Sequence, residues 1–404
     1  MNPNFIPISA LVLSMLFGMP LRAQGQSTSI KTSAAYTFGD AIQLNAEIEN
    51  GLSIIRAAVF MRSSAADSTR VELATIDAEN PLLARVTINP GEINLGAFET
   101  LSYWWQIDLE SGATLRTEEL QLHYSDDRFT WESLNSDPLK VFWHDRGLAQ
   151  GQTILEIGRK AIELSAQRYA LYPTSSITIV VYNNLQELEA AIELAGPTWA
   201  GGKARPETGI MLVQAGSSPE GIFDLERVIP HETVHLLLEQ RSGEGVSWMP
   251  AWLAEGMATL AEDPPSSAQH LALEQHIKEG GLIPITELCA SFPLSEDQAV
   301  LAYAESASFV GYLLDIYGKG GLSILLDAYR EGASCEGGVQ RVYQRQLAQL
   351  EEEWHHSIGL QARFFDWRWL IVLGAVVLSA ILFGARSIRD ARRPSQGPER
   401  RLDD

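Results

Sequence analysis

The sequence predicts an α+β chain: an N-terminal antiparallel β-sandwich, then a mixed α/β and helical unit, then one C-terminal transmembrane helix. Three observations carry this. Residues 27–127 break into short segments of alternating polarity. Near Trp131 the apolar period lengthens to that of helices. Residues 369–385 are apolar and uncharged, and arginines follow them.

The alternating segments are AIQLNAEIEN, IRAAVFMRS, LLARVTI, LSYWWQIDL and EELQLHYSD. Period-two polarity marks strands with one buried face. Gly39-Asp40, Asn50-Gly51 and Ser111-Gly112 lie between them as turns. About six or seven strands at this spacing read as a sandwich of immunoglobulin-like type. Trp104 and Trp105 fit core and groove positions rather than a ligand cage.

Beyond Trp131, LKVFWH is a short strand. Residues 147–171 place Ile154, Ile157, Ala161, Ile162 and Leu164 on one helix face. SITIVVY at 176–182 is a buried strand, and NLQELEAAIELAG is a helix opened by Asn and closed by Gly196. After the Gly201-Gly202 turn comes the strand GIMLVQ, and from Asp224 to about residue 357 the chain is mainly helical.

The ends read as membrane signals. Phe5 to Leu21 is almost wholly apolar and small Ala23 follows, which makes 1–23 a signal peptide. Trp367 and Trp369 open the second run as interfacial aromatics, so 367–385 is expected to span the bilayer. The tail 386–404 holds six Arg against four acidic residues, a charge of +2. The whole chain carries −21, so the other 385 residues carry −23. The positive-inside rule then puts the tail in the cytoplasm and the acidic body outside the cell membrane, as a single-pass protein. That acidity argues against nucleic acid as a partner. It leaves oligomeric state open. The two cysteines, Cys289 and Cys335, either pair outside the cell or stay as buried thiols.

The chemistry is carried by IPHETVHLLLEQ, which contains His231-Glu232-Thr233-Val234-His235. On a helix, positions i and i+4 share a face, so both imidazoles reach one metal ion. Glu232 lies beside the first ligand and suits a general base. Twenty residues past His235 comes Glu255, in MPAWLAEGMATLAE. A carboxylate among Trp, Leu, Ala, Gly and Met is costly to bury unless a positive charge meets it. A catalytic zinc needs a third protein ligand of this kind. Small Ala254 and Gly256 beside it allow close approach to the first helix. Pro230 is expected to start a fresh helical segment at His231.

HETVH followed by WLAEGMA resembles the gluzincin zinc peptidases, the thermolysin-like clan, and within it the peptidase MA-like domains of membrane-anchored bacterial proteins. The resemblance implies a two-lobed catalytic domain over 138–357 with one zinc (Zn2+) between the lobes, a peptide or protein substrate and peptide-bond hydrolysis. It implies that GIMLV is the edge strand that pairs with substrate, and that Tyr303 binds the oxyanion. Thr259, one turn after Glu255, takes the place of a second-layer Asp in thermolysin-like enzymes. No ligand role is expected for His144, His270, His276, His355 or His356. Two other readings remain: a non-cleaving zinc-containing adhesion module, and a zinc hydrolase of a non-peptide amide.

Overall fold

The computed structural model describes residues 29–49, 52–66, 68–192, 202–216, 219–242 and 249–359. The expected signal peptide, transmembrane helix and basic tail lie outside the described residues.

Two antiparallel sheets open the chain. The first has the order β1 (Ser29–Ala35), β2 (Ile42–Glu49), β6 (Leu83–Ile88), β5 (Thr75–Ile76). The second has β4 (Arg70–Leu73), β3 (Ile54–Ser63), β7 (Glu99–Leu109), β8 (Thr114–Arg116), with β9 (Leu120–Tyr124) also on β7. Alternation decides the facing: Ile42, Leu44, Ala46 and Ile48 of β2 and Leu101, Tyr103, Trp105 and Ile107 of β7 enter one shared core. Trp105 is fully buried, whereas Trp104 turns outward and stacks on Phe60 with ring centroids 5.5 Å apart.

A five-stranded sheet follows, in the order β10 (Glu132–Ser136), β11 (Leu139–Trp143), β12 (Ile177–Tyr182), β14 (Ile210–Gln214), β13 (Gly202–Arg205). The middle strands β11, β12 and β14 are parallel, and β10 and β13 are antiparallel edges. Helices α1 (Leu148–Tyr169) and α2 (Leu185–Ile192) lie in the connections. β12 is apolar without alternation because both its faces are covered. Ile179 and Val181 face α1 and the helical part of the chain. Val180 and Tyr182, with Ile210 and Leu212 of β14 and Leu188, Ala191 and Ile192 of α2, instead join the core of the N-terminal sheets. One apolar core therefore runs from β2 through β7 to the back of the five-stranded sheet.

The sequence places the substrate edge at GIMLV. The structure corrects this: β14 is interior, paired with β12 on one side and β13 on the other. The edge is β13, four residues that begin at the expected turn.

The helices are α3 (Pro219–Ser242), α4 (Ala251–Leu260), α5 (Ser267–Glu279), α6 (Glu296–Arg330), α7 (Cys335–Tyr343) and α8 over residues 347–359. Pro230 does not start a helix but lies inside α3. The lost hydrogen bond is tolerated because Ile229, Val234, Leu236 and Leu237 bury the helix on both sides of it. α6 bends at Gly318, whose φ of 67° suits only glycine. Among the described residues α6 alone is long and apolar enough to cross a membrane. It nevertheless supplies core, with Ala302, Phe309, Val310 and Leu313 buried beside α4. Gly256 of α4 does allow a close approach, but to α6 rather than α3: a Cβ there would lie 2.5 Å from the Ser306 carbonyl oxygen. Cys289 and Cys335 are disulfide-bonded, with Cα atoms 5.9 Å apart, which ties the segment before α6 to the start of α7.

Glu305 of α6 is fully buried and accepts from the Ile283 N–H at 3.1 Å. Burial pushes its carboxyl up to about 8, against the pull of that N–H. The folded state thus favours the protonated form more than the unfolded chain does. The associated stability is full below the ordinary carboxylate range and is lost as pH rises through about 8. Glu305→Gln keeps an acceptor for Ile283 and cannot ionise. Thermal melts from pH 6 to 9 are expected to show a falling Tm for the parent protein and a flatter curve for the variant.

Candidate active site

Helix α3 carries His231 and His235 one turn apart, and α4 brings Glu255 against them. The buried hydroxyl of Tyr169 on α1 donates to the Met257 carbonyl at 2.8 Å and fixes α4 to the rest of the fold. Three ligand atoms converge. His231 Nε2 lies 3.3 Å from His235 Nε2, and Glu255 Oε2 lies 3.5 Å from each nitrogen. A tetrahedral zinc with bonds of about 2.0–2.1 Å separates neighbouring ligands by about 3.3–3.4 Å. The donor set, two imidazoles and a carboxylate, leaves a fourth position open, as catalytic zinc requires. Among the described residues this is the group of His, Cys, Asp and Glu that fits a metal ion.

Electrostatics agrees. Glu232, Glu255 and Glu262 crowd two imidazoles, and the guanidinium of Arg227 reaches Glu262 only at 3.8 Å. Burial would push the His231 imidazole down, but Glu255 and Glu262 outweigh it and hold it up at about 10. Burial likewise opposes ionisation of Glu255, yet His235 and His231 hold it far below the usual carboxylate range. Carboxylates gathered around two imidazoles favour a cation between them.

Glu232, on the same helix, is almost fully buried. Its Oε2 accepts the Ala204 N–H of β13 at 2.8 Å, so the edge strand orients the carboxylate. The Tyr303 ring of α6 has its centroid 6.2 Å from that of His231 and packs edge-on to Phe292 at 4.9 Å. Burial raises the Tyr303 phenol, and the nearby carboxylates raise it further, so it stays protonated.

Two residues differ from expectation. Thr259 is buried and its hydroxyl finds no partner among the described residues. The support for the first histidine comes instead from Glu262, whose Oε1 lies 3.1 Å from His231 Nδ1. α4 ends at Leu260, and the turn beyond it swings Glu262 back over α3. A carboxylate on the far nitrogen fixes the tautomer of a ligating imidazole. Its sequence signal is the second Glu of AEGMATLAE, which follows Glu255 by seven residues, two helical turns. Glu262→Gln is expected to weaken metal binding by about 10–100-fold, measured by competition with a chelating dye.

The other histidines stay away from this group. His144 is buried between Glu187 at 3.1 Å and Asp145 at 3.0 Å, against Phe129 and Trp131. His270 is exposed beside Glu274.

Residues 159–359 match the family model of the peptidase MA superfamily. Through this domain the chain belongs to the peptidase MA superfamily. The peptidase MA domain begins within α1, ends with α8, and contains β13, the metal triad, Glu232, Glu262 and Tyr303. The strands β1–β11 precede it. No curated protein matches the chain.

Proposed function

We propose that this chain is a zinc metallopeptidase with one zinc per chain, held by His231, His235 and Glu255. The observation that carries the reading is the 3.3–3.5 Å triangle of ligand atoms. Membership of a peptidase superfamily supports peptide or protein as substrate. When bound, the zinc acidifies a water and polarises the scissile carbonyl.

The chain's own groups do the rest. Glu232, fixed through Oε2 by the Ala204 N–H, takes the water's proton and passes it to the leaving amine. Tyr303, protonated and beside His231, donates to the developing oxyanion. The outer edge of β13 pairs with an extended substrate, in place of the edge expected at β14. Glu262 keeps His231 oriented.

The same reading makes the protein membrane-anchored, with this domain outside the cell and the tail 386–404 in the cytoplasm. The apolar runs of the sequence and the Cys289–Cys335 disulfide support it. The two N-terminal sheets are read as an immunoglobulin-like sandwich over 27–127, ahead of a two-lobed catalytic domain.

The test is digestion of a peptide library by purified protein, with and without a chelator. Cleavage that stops on chelation and returns with zinc is the expected result. No chelator-sensitive cleavage of any peptide would favour the non-cleaving or non-peptide readings.

A further inference from the structure

A buried ion pair joins the N-terminal sheets to the strand that orients Glu232. Glu99 is the first residue of β7, and Arg205 is the last of β13; their side chains are 0% and 5% exposed. Glu99 Oε1 lies 2.7 Å from Arg205 Nε. Glu99 Oε2 accepts the Gly96 N–H at 3.0 Å. Arg205 Nη2 donates to the carbonyl and the side-chain oxygen of Asn94, each at 3.2 Å. Glu207, half-exposed and 3.5 Å away, is a weaker partner.

The loop before β7 is shaped around this pair. Asn94 and Phe98 both adopt positive φ, 50° and 65°, which side chains rarely accept. Gly96 leaves the room that Arg205 fills: a Cβ there would lie 2.3 Å from Arg205 Nη1 and 3.2 Å from Glu99 Oε1. Strained backbone and a buried charge pair add little net stability, and their benefit lies in fixing one geometry.

That geometry reaches the site. β13 is only four residues long and, among the described residues, is paired on one side, by β14. An edge so short needs another anchor. Arg205 supplies it, and the adjacent Ala204 N–H holds Glu232 at 2.8 Å. We propose that Glu99 and Arg205 are positioning residues for hydrolysis: the N-terminal sheets hold β13 through this ion pair and so set the Glu232 carboxylate. The proposal rests on the reading of Glu232 as the base.

The experiment compares the full-length protein with Glu99→Gln, Arg205→Met, the double variant and Arg205→Lys. Kinetics, zinc content and backbone amide exchange of residues 202–205 are measured on each. The single variants are expected to lower kcat at least tenfold with KM and bound zinc little changed. The double variant is expected to be no worse than either, and Arg205→Lys to recover part of the loss. Glu207→Gln, at the half-exposed partner, is expected to stay within twofold. Unchanged kcat in Glu99→Gln and Arg205→Met would overturn the proposal, as would additive losses in the double variant. If Arg205→Met fails to fold, Glu99→Gln, which keeps both side-chain acceptor and size, decides alone. If the parent protein cleaves no peptide, the peptidase reading fails by itself. Amide exchange then decides: at least tenfold faster exchange at 202–205 in Glu99→Gln supports the anchoring of β13, and unchanged exchange refutes it.

Discussion

Replacing Glu232 by Gln is expected to slow peptide hydrolysis by about 10²–10⁴-fold while zinc stays bound. The substitution is chosen for what it leaves intact. Gln has the size of Glu and still presents an oxygen to the Ala204 N–H, so the contact with β13 survives. The proposed ligands His231, His235 and Glu255 are untouched. What is lost is the ability to accept a proton, which is the role proposed for Glu232. A loss mainly in kcat, with metal content unchanged, is the expected signature. Hydrolysis at the parent rate would remove Glu232 from the mechanism.

Deleting the chain up to residue 128 is expected to abolish folding of what remains. Val180, Tyr182, Leu188, Ala191, Ile192, Ile210 and Leu212 are buried in the core of the N-terminal sheets. Exposing them costs on the order of 10 kcal/mol, at about 1.5 kcal/mol or more for each large side chain. Whole domains are stable by only about 5–15 kcal/mol. The deletion also strips Arg205 of Glu99 and leaves a buried guanidinium without its carboxylate. The truncated chain is expected to be insoluble or to melt without cooperativity. Gel filtration and thermal unfolding would show it, and a soluble monomer with a sharp transition would contradict the shared core.

These two predictions separate what the sequence carries from what it hides. The candidate metal triad is legible because its determinants are local. The i, i+4 spacing fixes two ligands on one face of α3, and a lone carboxylate in an apolar helix marks the third. The strands β2, β7 and β12 are legible for the same reason, since period and apolar run follow from burial.

The edge strand is not. Gly202-Lys203-Ala204-Arg205 has the composition of a turn, and it is extended in partnership with β14, with Arg205 against Glu99 and Ala204 against Glu232. The apolar GIMLV reads as the better strand, and it is one, but an interior one. Glu262 is only half legible: its spacing places it two turns after Glu255, but it lies past the end of α4, so spacing alone does not say which way its side chain turns. Thr259, one helical turn from Glu255, is the residue that spacing favours, and the structure gives its hydroxyl no partner among the described residues. The run ITIVVY announces burial on both faces without saying that the N-terminal sheets cover one of them. Cys289 and Cys335 are far apart in sequence, and only the packing of α7 against α6 brings them together.

His231, His235 and Glu255 are proposed to form a zinc site. Metal analysis of the purified protein tests it most directly. One tightly bound zinc per chain, lost in a His235→Ala variant that still melts cooperatively, is the predicted result. A protein that binds no transition metal, or a His235→Ala variant that keeps its zinc, would contradict the account.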